Sequence, residues 1–152
     1  MEHYRHTQVG AATILAVGGG IALFLGLSRA IPQAKLPLLL GSGILLVCLF
    51  LFSALTVVVN DRELVFWFGV GLIRKRTYLT DVAECEPVRN SWVWGWGIHL
   101  TPHGWLYNVS GFWAVEITLS SGAKFRLGTD EPDELCRAIR AAARLPVPGT
   151  SR

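Results

Sequence analysis

Apolar positions run almost unbroken through the first third of the chain and then give way to a two-residue alternation. Val9 to Leu27 and Leu36 to Val59 carry no charged residue over 19 and 24 positions. A hydrocarbon core of about 30 Å takes roughly 20 helical residues, so the pattern predicts two membrane-spanning helices, 9–27 and 36–59. Residues 28–35 form the loop, with Pro32 as its turn. Pro37 falls in the first turn of the second span, where a missing N–H costs little. Ser28-Arg29-Ala30-Ile31-Pro32 does not end in a small-residue cleavage site, so a retained hairpin is expected and not a signal peptide. Gly18, Gly19, Gly20, Gly41 and Gly43 permit close helix approach in lipid and are expected to face the other span or a neighbouring copy.

From residue 60 the alternation is that of strands. Glu63–Phe68 and Leu72–Leu79 read as strands around a Gly69-Val70-Gly71 turn. Thr56–Val59 is β-branched and is able to leave the membrane as a first strand. Thr80–Asn90 reads as a connection of undefined structure. Ile98–Leu100 and Trp105–Val109 make one hairpin. Phe112–Leu119 and Ala123–Leu127 make another, with Trp113, Val115, Ile117 and Leu119 inward and Glu116, Thr118, Lys124 and Arg126 outward. A helix follows, with Asp130 as its cap, Pro132 in its first turn, Leu135, Cys136 and Ile139 on its apolar face, and Pro146 and Pro148 ending it. The fold class is therefore α+β: an N-terminal tail and two-helix transmembrane hairpin (1–59), an antiparallel β sandwich or barrel of about seven strands capped by a C-terminal helix (60–145), and a tail (146–152).

Composition sharpens this picture. Of 152 residues 51% are hydrophobic and 16% charged, against roughly 25% charged in soluble domains. Only Glu2, Arg5, Arg29 and Lys35 are charged before residue 60. The net charge of +3 is spread over mixed signs, so no nucleic-acid partner is expected. Arg5, Arg62, Arg74, Lys75 and Arg76 outside the spans, weighed against Arg29 and Lys35 in the loop, place both termini in the cytoplasm. No charge lies inside either span, so no ion path is expected. Cys48, Cys85 and Cys136 form no CxxC and read as unpaired thiols.

The stretches LVFWFGVGLIRKRTYLTDVAECEPVRN, GWGIHLTPHGWLYNVSG and AVEITLSSGAKFRLGTDEPDELCRAI, placed after two spans, resemble the bacterial pleckstrin-homology-like membrane proteins. The resemblance covers roughly residues 55–143. It implies a pleckstrin-homology-like (PH-like) domain in a bacterial inner membrane, and a role in binding protein partners or membrane surface. The first two strands carry no dense Lys/Arg pocket of the inositol-lipid-binding sort; only Arg74, Lys75 and Arg76 cluster, on the second strand.

Two groups are candidates for contact. Arg74, Lys75 and Arg76 can attract an anionic leaflet, with Arg74 and Arg76 sharing a strand face. Trp92, Trp94 and Trp96 would, if extended, show three rings on one side, for headgroups or a partner. Set against these are a solvated strand face and a core or rim role for the tryptophans. No nucleophile elbow, P-loop or dinucleotide pattern occurs, and no cofactor is expected. The expectation is a non-catalytic accessory, assembly or scaffolding module with the bilayer and a membrane protein or second copy as partners. The alternative is an enzyme or small-ligand or lipid sensor that gathers His99, His103 and Glu116 in a pocket.

Overall fold

The computed structural model describes residues 1–146. The tail expected over 146–152 lies, apart from Pro146, outside the described residues. Chain order runs β1 (Glu2–Val9), α1 (Ala11–Ala30), α2 (Lys35–Phe52), β2 (Ala54–Asn60), β3 (Glu63–Phe68), β4 (Ile73–Tyr78), β5 (Val82–Arg89), β6 (Gly97–Thr101), β7 (Gly104–Asn108), β8 (Trp113–Leu119), β9 (Lys124–Gly128) and α3 (Pro132–Ala143).

Both hairpin helices are long and apolar enough to cross a membrane. At 1.5 Å per residue the 20 residues of α1 span about 30 Å, the thickness of a hydrocarbon core. Neither helix buries its apolar surface within the chain. They touch each other through small residues. A Cβ on Gly41 would meet the Phe24 ring at 2.7 Å, and one on Gly20 would meet Leu45 at 3.3 Å. Gly18, Gly19, Gly26 and Gly43 look onto open space, so within the chain the close approach is made at Gly20 and Gly41.

The expected second span of 36–59 ends at Phe52, and the β-branched run after it is β2. The larger correction concerns the N-terminus. Residues 2–9 are not a tail but a strand, antiparallel to β2 from Val9↔Ala54 to Glu2↔Asn60. Alternate residues turn Tyr4, His6 and Gln8 inward. Tyr4 donates to Glu131 at 3.2 Å, and His6 meets Asp130 at 2.7 Å, which ties β1 to the entry of α3. Asp130 is thereby used in this contact. The helix cap position is Glu131, whose backbone N–H donates to Thr129 Oγ1.

Two sheets enclose the core, one ordered β1-β2-β3-β4 and the other β5-β8-β9-β7-β6. Eight strands thus follow the hairpin, where about seven were expected, because Val82–Arg89 is a strand and not an irregular connection. The second sheet is also not wholly antiparallel, since β7 and β9 run parallel through Trp105↔Phe125 to Tyr107↔Leu127. The cause is topological. The chain leaves β7 and forms β8 one strand position away, and β9 folds back into the gap. Leu55, Val57, Val59, Leu64, Phe66 and Phe68 from the first sheet pack on Tyr107, Val115, Ile117 and Leu127 from the second. α3 closes the side where β1 and β5 approach, adding Leu135, Cys136 and Ile139 to the same core.

Candidate functional site

The strands continue into the helices with one residue between them: Gly10 joins β1 to α1, and Ser53 joins α2 to β2. Gly10 N–H donates to the Ser53 carbonyl at 2.7 Å, which clamps the two junctions together. Two loops of the β domain rest on the same level. In the first, Thr13 of α1 donates to the Val109 carbonyl at 2.8 Å. In the second, the β3–β4 turn abuts the end of α2, where Phe52 meets the Phe68 ring edge-on at 5.5 Å. Gly69 in that turn has φ +44, and a Cβ there would collide with the Phe50 carbonyl. Glycine is required both for the left-handed backbone and for this approach.

The tryptophan segment reaches this level too, by a route the sequence does not display. β5 and β6 are opposite edges of the five-stranded sheet, so residues 90–96 must traverse its whole width. The expected extended ladder of Trp92, Trp94 and Trp96 does not form. Trp92–Trp94 is a 3-10 turn, and Gly95 at φ +59 reverses the direction. Trp92 is 78% exposed and Trp96 41%, whereas Trp94 is half-buried. The Trp96 indole donates to the Gly111 carbonyl, and Asn90 N–H donates to Phe112, so the segment is fastened to the β7–β8 loop. Exposed Phe112 and Trp113 follow that loop, and Val70 and Leu72 project from the β3–β4 turn. The hairpin-proximal end of the domain therefore carries a rim of exposed apolar side chains.

The basic strand divides between two faces. Arg74 and Arg76 lie on the outer face of the first sheet, opposite Trp67 and Val65. The Arg74 guanidinium stands 5.4 Å from the Trp67 ring, and that of Arg5 stands 5.9 Å from the same ring. On the same outer face Val58 and Val65, cross-strand neighbours of Arg5 and Arg76, are buried. Lys75 turns the other way, its ammonium 5.4 Å from the Tyr107 ring. Arg74 is the member of the three nearest the hairpin. Arg89, at the end of β5, joins it at that end, 5.9 Å from the Trp113 ring.

His99, His103 and Glu116 are not brought together. His99 and Glu116 lie in one row across the sheet, separated by β7 and β9, which is about 14 Å at strand spacing. His99 contacts the Trp96 carbonyl, and His103 is exposed in the β6–β7 turn. Glu116, expected on a solvated face, is buried. Its Oε2 accepts from Arg126 Nε at 2.8 Å and Nη2 at 2.7 Å, and its Oε1 from Lys124 at 3.0 Å. Burial pushes its carboxyl up, but the two cations outweigh this and hold it below the ordinary range. Among the described residues no group of three His, Cys, Asp or Glu side chains is placed to hold a metal.

Cys85 and Cys136, 51 positions apart, meet with 3.1 Å between sulfurs. Their contact raises the Cys85 thiol and lowers that of Cys136, which also sits near Arg140. Arg140 Nε donates to the Cys85 carbonyl at 2.9 Å, tying α3 to β5. Both cysteines are free and buried. Sequence spacing gave no sign of this contact, since only the packing of α3 on β5 creates it.

No protein-family model, curated protein sequence or solved structure matches this chain.

Proposed function

We propose that the chain is a membrane-anchored, non-catalytic module. Its hairpin spans the bilayer, and its β domain, of a PH-like kind, serves as an accessory or assembly subunit for a membrane protein or a second copy. The observation that carries this reading is the pair of one-residue junctions, Gly10 and Ser53. A domain so joined has no linker with which to search the surrounding volume, so it is suited to presenting a surface at a set height and not to reaching a diffusing substrate.

The pairing of β1 with β2 puts both ends of the hairpin's flanking chain on one side, consistent with two crossings. We place that side in the cytoplasm of a bacterium, with the hairpin in the inner membrane. Strands β4 and β6 end their sheets without a neighbour among the described residues, and such edges are able to accept a partner strand. The polar groups that an enzymatic reading would use are engaged elsewhere: Glu116 in its ion pairs and His99 on a carbonyl.

The test is chemical crosslinking of the full chain in native membranes, followed by mass spectrometry. Discrete species heavier than the chain, with crosslinks on β4 or β6, are expected. Recovery of the bare monomer alone overturns the accessory role.

A further inference from the structure

We infer that the hairpin-proximal rim of the β domain is a lipid-contact surface, with Val70, Leu72, Trp92, Trp96, Phe112 and Trp113 seated in the interfacial layer of an anionic leaflet. The inference rests on the membrane-spanning reading of the hairpin and adds to it a second, independent attachment made by the folded domain.

Three observations converge. The first is height. α1 begins at Ala11, and its 20 residues match a hydrocarbon core of about 30 Å, with Arg29 and Lys35 marking the far boundary. The near boundary then falls at Gly10 and Ser53. The β3–β4 turn and the β7–β8 loop are bonded to the chain at this level, through Gly69 N–H to Ala54 and Thr13 to Val109. Headgroups extend the bilayer by roughly 5–8 Å on each side, so side chains leaving these loops meet headgroups and not bulk water.

The second is chemistry. Val70, Leu72 and Trp92 are 66%, 78% and 78% exposed, and they come from separate loops gathered at one end. An apolar patch of this kind on a water-facing surface is unfavourable, and the patch lies at the end of the domain from which α1 and α2 emerge. Tryptophan suits this layer because its ring is apolar and its N–H is polar. The Trp96 N–H is already met by the Gly111 carbonyl, which leaves its ring to the lipid.

The third is charge. Arg74, one residue into β4 after the β3–β4 turn, and Arg89, paired with Trp113, stand at the rim end, and both are exposed. Of the exposed acids, Asp61, Asp81 and Glu84 lie towards the opposite end, at the β2–β3 turn and the distal half of β5, while Asp130 follows Thr129, whose N–H is bonded to the Trp113 carbonyl, and is paired with His6. The rim end thus presents two exposed guanidinium groups, which fit anionic phospholipid.

All six tryptophans lie in the β domain and none in the hairpin, so tryptophan fluorescence reports on the domain alone. The full chain is reconstituted in phosphatidylcholine–phosphatidylglycerol vesicles with bromine at the 6,7 acyl positions. Strong quenching relative to unbrominated vesicles is expected. It is expected to persist in W105F, which lacks the tryptophan at the far end of the domain beside the β6–β7 turn, and to fall in W92F/W96F/W113F. Replacing phosphatidylglycerol with phosphatidylcholine is expected to weaken the quenching, and R74Q/R89Q to remove that lipid dependence. Circular dichroism of each variant verifies the fold, and the wild-type comparison stands without any variant. If the protein resists carbonate extraction yet shows no bromine quenching, the rim inference falls and the hairpin reading survives. If carbonate releases the protein, both fall.

Discussion

Glu116→Gln tests the internal electrostatics of the second sheet, where sequence pattern and structure disagree most. The carboxylate is 4% exposed, and the Arg126 side chain it binds is 11% exposed. Gln keeps the shape and one acceptor oxygen, but it removes the charge and turns an NH₂ group toward a cation. Breaking a buried pair by removing one partner costs about 3–5 kcal/mol because the other charge is left uncompensated. Arg126 retains Asn90 Oδ1 at 3.2 Å, which places the expected loss near the lower end, about 3 kcal/mol. Lys124 is 44% exposed, so solvent screens its share of the pair. For a domain of this size a loss of about 3 kcal/mol lowers the melting temperature by roughly 12–24 °C. The assay is thermal unfolding in detergent, followed by near-ultraviolet circular dichroism of the tryptophans. The pH dependence supplies a second arm. Because the folded carboxyl titrates below its unfolded value near 4.5, its stabilisation is complete above that pH and is lost as pH falls through the folded value. Wild type is therefore expected to lose stability on acidification below about pH 4.5, with a flatter acid limb in E116Q. A melting temperature within about 3 °C of wild type, or an unchanged acid limb, refutes the account.

Three further outcomes are expected. Gly69→Ala forces a side chain into a left-handed position against the Phe50 carbonyl, and it should cost about 2–3 kcal/mol and speed proteolysis at the β3–β4 turn, read by limited digestion. Arg144 caps α3 at φ 56, so Arg144→Gly should stabilise by about 0.5–1 kcal/mol, measured as a small rise in melting temperature; a fall would show that its side chain matters more than its backbone. Deleting residues 2–8 removes β1, bares the edge of β2 and uncouples Tyr4 and His6 from the start of α3, so hydrogen exchange should accelerate throughout β2; unchanged protection would mean that β1 contributes no stability.

Local pattern made several elements legible. Glu63–Phe68, the Gly69–Gly71 turn and the β8–β9 hairpin lie where alternation and turn residues put them, because each is set by neighbours close in sequence. β1 was hidden because HYRHTQ mixes half-buried polar residues on an edge strand, and its partner β2 lies beyond the whole hairpin. β5 was hidden by exposed edge positions and Pro87. Alternation placed Glu116 correctly on the outer face of β8. It could not show that Arg126, Lys124 and Asn90 would close over it, since burial depends on what the chain brings across that face.

The hairpin, the onset of strands after it and the closing helix were determined by the sequence alone. Uncharged length and short-period alternation act over a few turns or residues, so the existence of these elements was set locally, although their ends were not. Tertiary structure decided the rest. The strand order carries residues 90–96 across the sheet, so the tryptophans become a rim beside the hairpin and not a ladder on a strand. The β1–β2 pairing clamps both junctions at one level. Packing of α3 on β5 brings two remote thiols together. Each of these depends on which segments become neighbours, a property of the long-range pairing energy of the whole chain that no local window contains.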